Sequence, residues 1–248
     1  MKTKLTLFAT ILAAALFGVG CASVQKKPLG MPPKGKVLSC KSGGGVVIPN
    51  SVDLLGEKAM TLALFCKPDG GGRVIHKRPF VEGSFSMVVG KDVVELEAWH
   101  QLGNQVGINH KIKHDNSQWV HVCWVFSSSI GTSRIYINGK LQSEKAETYG
   151  GVSLKGLTIA KRSNFHIAGP GTWANAQGGY SGMVDEVMVF DVALNAEQIV
   201  NLERGQKKKL PTGLIAYWNF DGGDAADLSG NGRDAELAGP AEIIRLKK

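Results

Sequence analysis

Apolar and polar residues alternate along most of this chain in short blocks broken by glycine, proline and asparagine, and that period of two predicts strands joined by tight turns. In residues 93–99, VVELEAW, the side chains of Val94, Leu96 and Ala98 fall on one face, and Glu95, Glu97 and Trp99 on the other. That is half-buried alternation. Residues 59–67 (AMTLALFCK), ended by Pro68-Asp69-Gly70, and 119–126 (WVHVCWVF) read as strands, and residues 183–190 are apolar on both faces, as expected of a strand inside a two-sheet core. Asp185 and Glu186 interrupt the last of these. Because successive strand side chains point to opposite faces, the two carboxylates should diverge and form no catalytic couple. Shorter strands are predicted at 37–40, 46–50, 73–77, 84–89, 134–141 and 157–162. Within 134–141, Asn138-Gly139 suits a two-residue type I′ hairpin turn, which needs positive φ at both positions. One segment is helical: Asn195 is a good N-cap, Gln198 completes a capping box, Ile199 and Leu202 face inward, and Gly205 stops a helix near 195–204.

The two ends of the chain read differently. Met1-Lys2-Thr3-Lys4 is a basic start, and the 16-residue apolar stretch 5–20 is too short for a transmembrane helix and right for a signal peptide. Residues 21–35, rich in proline and lysine, offer little to bury and read as a tether, so the domain should start near Lys36. With 32 Gly and 9 Pro in 248 residues the remainder is a turn-rich, all-β protein large enough for one sandwich. The formal charge of +8 falls to +6 without residues 1–20, that is, 27 basic minus 21 acidic residues. The excess sits at the ends, in Lys26, Lys27, Lys34, Lys36, Lys207, Lys208, Lys209, Lys247 and Lys248. Solvated or membrane-facing lysines explain it, and nucleic acid is not inferred as a partner.

Several of these segments carry a resemblance. Asp185-Glu186-Val187, Phe190 and the run Ala193-Leu194-Asn195-Ala196-Glu197-Gln198-Ile199 resemble the closing strand and helix of the laminin-G-like, concanavalin A-like jellyroll domains of bacterial surface proteins. Residues 46–50, 59–67, 119–126, 134–141 and 157–162 are similar to that family's strands, in family order across 36–205. The resemblance implies a concanavalin A-like jellyroll β-sandwich of two antiparallel sheets. Residues 213–221 (GLIAYWNFD) and 227–232 (DLSGNG) resemble the segments that usually open such a domain, yet here they close the chain. The stretch 213–248 is too short for a second sandwich, so it is expected to complete the single domain 36–248 by circular permutation, which the closeness of sandwich termini makes easy. Leu16, Val19 and Gly20 before Cys21 resemble a bacterial lipobox, which implies lipidation of Cys21; ordinary cleavage and a retained anchor are the other readings. A multiply acylated cysteine anchors stably to a membrane. Ala22 resembles the corresponding residue of lipoproteins sent to the outer membrane.

Candidate chemistry is sparse. Neither the E-x-D-x-x-E strand of laminarinase-like enzymes nor a G-x-S-x-G elbow is present. Glu95 and Glu97 share a strand face and are the pair a glycoside hydrolase would use; the other reading is the polar side of a half-exposed strand. In the loop 163–179, Trp173 lies among glycines with Asn175 and Gln177, followed by Tyr180. An indole can stack on a sugar whose hydroxyls pair with the amides, or it can fold back as a lid. Asp221, Asp224, Asp227 and Asn231 give an oxygen-rich turn suited to a hard cation, calcium being the one the resemblance implies; an Asx turn followed by an Asn-Gly turn is the alternative. Cys40, Cys66 and Cys123 allow one disulfide or three buried thiols. His121 should be a hydrogen-bonded structural histidine. These features lead to an envelope-anchored, non-catalytic binding or adhesion module for glycan or another surface polymer, held to the membrane by lipid. The alternatives are a glycoside hydrolase and a structural envelope lipoprotein.

Overall fold

A computed structural model describes residues 33–41, 43–49, 51, 54, 58–77, 85–90, 93–99, 105–110, 118–146, 154–155, 164–169, 179–206 and 209–247. The expected signal segment, Cys21, most of the expected tether, the strand expected at 157–162, and Trp173, Asn175 and Gln177 lie outside these residues.

Two antiparallel sheets share one strand. The first sheet runs β9 (Lys140–Lys145), β8 (Thr132–Ile137), β7 (Val120–Ser127), β3 (Ala59–Lys77), β11 (Ser181–Phe190), with β1 (Lys36–Cys40) and β12 (Leu214–Trp218) both along the far side of β11 and β14 (Ala241–Arg245) outside β1. The second runs β6 (Gln105–His110), β5 (Val94–Trp99), β4 (Phe85–Val89), β3, β10 (Phe165–Ala168), β2 (Gly45–Ile48) and β13 (Glu236–Ala238). The sequence predicts two strands around Pro68-Asp69-Gly70; the chain instead forms one 19-residue strand that turns the corner between sheets there. Gly70, Gly71 and Gly72 take φ of +90, +81 and +132. A Cβ on Gly71 would lie 2.5 Å from the Val89 carbonyl oxygen, and one on Gly72 2.5 Å from that of Gly179, so these two positions have no room for side chains.

Leu62, Leu64, Trp124, Phe126, Phe85, Phe165 and Trp218 fill the space between the sheets. A second apolar cluster lies on the outer face of the first sheet, where Ala63, Cys123, Met188 and Phe190 pack under Ile199 and Leu202 of the helix α1 (Ala196–Glu203). The capping box forms as predicted: Gln198 N donates to Asn195 Oδ1 and Asn195 N to Gln198 Oε1, each at 2.9 Å. Asn138 and Gly139 have φ of +49 and +73, the type I′ turn. Cys40, Cys66 and Cys123 are free and buried, which resolves the alternatives in favour of three thiols. Burial pushes Cys40 and Cys66 up to about 12 and raises Cys123 as well.

Residues 213–247 are part of this core. Trp218 is fully buried, its ring 6.1 Å from that of Phe165, and its indole N–H donates to the Arg233 carbonyl at 2.9 Å. β12 and β1 lie end to end along β11: residues 214–218 face 187–190, and residues 38–40 face 182–184. At the joint Lys36 N donates to Asp221 Oδ1 at 3.2 Å, and Leu246 N to the Gly35 carbonyl at 2.9 Å.

One prediction about β11 fails. Glu186 has φ of +54 and the pairing with β3 slips between Asp185 and Met188, which is a β-bulge. Val184, Val187 and Val189 enter the core. Asp185 pairs with Phe65, which lines a cavity on the outer face, and Glu186 accepts the Tyr217 hydroxyl at 2.6 Å on that same side. The extra residue thus brings both carboxylates to one face, where strict alternation separates them.

Candidate functional site on the second sheet

The outer face of the second sheet follows from which residues the core takes. Phe165 and Ile167 of β10, Ile75 of β3, Phe85 and Met87 of β4, Leu96 of β5, and Val46 and Ile48 of β2 point inward. Their neighbours His166, His76, Ser86, Glu95 and Val47 therefore point outward. Register aligns Val47, His166, His76 and Ser86 in one row across four strands. The next row holds Arg73, Val88 and Glu95.

The two imidazoles stack, with ring centroids 4.7 Å apart and planes 6° from parallel. His76 and Ser86 are buried, while His166 and Arg73 are half-buried. Burial lowers the pKa of His166, so it is neutral at pH 7, and its Nδ1 is buried without a hydrogen-bond partner among the described residues. Arg73 Nε is in the same condition. Buried polar atoms of this kind carry an energetic penalty that a ligand can relieve. Arg73 also bridges Gly179, and Gly169 N donates to the Gly44 carbonyl at 2.9 Å. Both residues flanking the stretch 170–178, which holds Trp173, Asn175 and Gln177, are thus fixed at this sheet.

Other predicted site residues fare differently. Tyr180 is not a ligand platform: it is fully buried in the core, its hydroxyl donating to the Met183 carbonyl at 3.1 Å. The acidic turn takes the form of the alternative, hydrogen-bonded Asx turns. Asp227 spends both oxygens on the main chains of Tyr217, Ser229 and Arg233 and the Ser229 hydroxyl, at 2.9–3.0 Å. Burial alone would raise its pKa, but those hydrogen bonds outweigh burial and hold it below the usual carboxylate range. Asp221 accepts from Lys36 N, Asp224 Oδ1 from Ala226 N, and Asn231 donates to the Ile215 carbonyl. Among the described residues no three His, Cys, Asp or Glu side chains are placed to hold a metal ion. Glu95 is half-buried, and the side chains of Glu97 and Trp99 lie outside the described residues. His121, expected to be a hydrogen-bonded structural histidine, is buried, and its Nδ1 finds no partner among the described residues. The stacked histidines escaped the sequence reading, although each follows or precedes a core residue in a strand (VIHK, FHIA), the signal that places them outward.

Residues 41–200 match the family model described as Concanavalin A-like lectin/glucanases superfamily. The chain belongs to this superfamily. Among solved structures it is similar to a heptameric SAP-like pentraxin from Limulus polyphemus, with 15% identity, a TM-score of 0.55, and 86% of this chain and 89% of that one covered. It also resembles a candidate carbohydrate binding protein from Bacteroides ovatus, with 17% identity, a TM-score of 0.61, and 88% and 61% coverage. A third is the CBM40 of the Ruminococcus gnavus IT-sialidase, solved bound to α2,3-sialyllactose, with 11% identity, a TM-score of 0.52, and 70% and 99% coverage. No curated protein matches the chain by sequence. At these identities the solved structures share the fold.

Proposed function

We propose that this protein is a non-catalytic, glycan-binding module of the cell envelope, anchored through lipid on Cys21 and presenting the outer face of the second sheet to its ligand. The observation that carries the reading is the row His166–His76–Ser86 beside Arg73 and Glu95, where rigid polar side chains are held by strand register. Groups already fixed in place cost little further entropy to order on binding. The Ruminococcus gnavus CBM40 and the Bacteroides ovatus protein support a carbohydrate ligand. Trp173, Asn175 and Gln177, whose flanking residues Gly169 and Gly179 sit at this sheet, are assigned to the same site as a stacking ring and two amides. A glycosidase requires two carboxylates roughly 5–10 Å apart across the scissile bond. Glu95 stands two strands from Arg73 in the same row, and Glu97 pairs with Ser86 in the row beside it, so turnover is the measurement that separates binding from hydrolysis.

The test is a glycan array probed with the protein from residue 22 onward, followed by titration of any hit into Arg73→Ala, His166→Ala and Trp173→Ala. Loss of at least tenfold in affinity at unchanged melting temperature supports the reading. Turnover of the hit that disappears in Glu95→Gln would replace it with the enzyme reading, and variants that bind as the parent does would remove this face. Incorporation of labelled palmitate into the parent but not into Cys21→Ser tests the anchor.

A further inference from the structure

On the opposite side of the molecule, the outer face of the first sheet carries a cavity of about 280 Å³, floored by β3, β7 and β11 and covered by α1, the segment after it and the incoming N-terminal segment. Ala63, Phe65, Met188 and Leu202 are its buried apolar walls. Lys34, Gln206 and Asp221 also line it and are exposed, so they stand where it opens to solvent. Glu186 lines it too, but is engaged, with the Tyr217 hydroxyl among its partners.

His121 is the exception among the buried walls. Its neighbours Val120 and Val122 enter the core, so its side chain leaves β7 on the outer face, the side where Cys123 and Val125 pack among apolar residues. Its main chain is satisfied: the N–H donates to Asn138 Oδ1 at 2.9 Å, and the carbonyl accepts from Asn138 N at 2.8 Å. The ring is 1% exposed and held beside Phe65, with centroids 4.8 Å apart. Its Nδ1 is buried and has no hydrogen-bond partner among the described residues. A polar atom left in this state costs stability that an apolar side chain at the same place would keep. Burial also lowers the pKa of the imidazole to about 3, so at neutral pH it offers a hydrogen bond and no charge.

We propose that this cavity is a second ligand site, for a small, uncharged apolar molecule that carries a hydroxyl group. A hydroxyl both donates and accepts, so it pairs with the His121 imidazole in either tautomer. The apolar body of the ligand fills the space between Phe65, Met188, Leu202 and Leu210. An apolar cavity of about 150 Å³ is enough for a benzene ring, so this one has room for a ring with substituents. Apolar walls with a single polar group that fixes orientation are the common form of a small-molecule pocket. The site lies on the other sheet from the glycan face and does not rest on that reading.

The test follows the methyl resonance of Met188 in the full chain, labelled at its methionine methyls and held in detergent, as benzyl alcohol or toluene is added. The two probes differ only by the hydroxyl. Benzyl alcohol should shift the resonance saturably, and His121→Phe should weaken its binding at least tenfold while changing that of toluene less than twofold. Partition of the probes into detergent is the same for both proteins and cannot produce that pattern. Should His121→Phe fail to fold, the imidazole nitrogen resonances of His121 in the parent decide, since benzyl alcohol should move them and toluene should not. No saturable shift of Met188 with benzyl alcohol, alcohol binding that survives in folded His121→Phe, or imidazole resonances that respond alike to both probes overturns the proposal.

Discussion

His121 stays neutral in the folded protein because burial takes its pKa down to about 3, whereas an imidazole in the unfolded chain titrates near 6.5. The unfolded state therefore binds the extra proton as pH falls below 6.5, so stability is complete above that value and is lost progressively toward pH 3. Between pH 7.5 and 5 the loss should reach about 2 kcal/mol from this residue, with His166 adding in the same direction. Urea midpoints at the two pH values will register it, and His121→Phe should flatten the dependence. The glycine corner gives a second comparison. Gly70 and Gly72 both have positive φ, but a Cβ on Gly70 meets nothing within 4 Å, whereas on Gly72 it strikes main chain. Gly70→Ala should cost roughly 1 kcal/mol and Gly72→Ala roughly 3 kcal/mol or more, read from the same denaturation curves.

At the scale of elements, α1 shows how a local rule survives into the fold. Asn195→Ala removes one half of a reciprocal cap at an exposed helix end and should lower stability by about 1 kcal/mol, measurable as a drop in melting temperature of a few degrees. The cap, the Asn138-Gly139 turn and the alternation of β5 were legible in the sequence because each depends on neighbours within four residues. The Glu186 bulge was not. Whether a strand carries an extra residue is decided by the partner opposite, here Leu64 between Phe65 and Ala63, and no pattern within residues 183–190 records that. The same holds for β3, where Pro68-Asp69-Gly70 reads as a stop although a bend between sheets uses the same residues. The candidate face was half legible: alternation marks Glu95 as outward, but the meeting of His76 with His166 joins residues 90 positions apart. Tyr180 was misread because its place after a glycine-rich loop says nothing of the core into which β11 then draws it.

For the whole molecule, the seam between β12 and β1 is what the resemblance to a permuted domain requires. Truncation after Gly205 would remove Trp218 and Phe220, whose burial contributes roughly 2–3 kcal/mol each, together with β12, β13 and β14. That chain should be insoluble or lack a cooperative melt. A rearranged chain beginning at 209, with residue 247 joined to 35 by a short linker, should melt cooperatively near the parent temperature, because Leu246 N already reaches the Gly35 carbonyl. A non-cooperative melt would count against the permutation.

The position of the chain's entry has a mechanical consequence. β1 follows directly on the segment that leads back toward Cys21, and it is laddered on both sides, to β11 through residues 38–40 and to β14 through residues 36–40. A tug delivered through residue 35 runs along the axis of that strand, so its cross-strand hydrogen bonds stretch together rather than opening one after another. Strands loaded in this way resist as a group, so with the anchor proposed at Cys21 the strand nearest the tether would also be the domain's grip against shear.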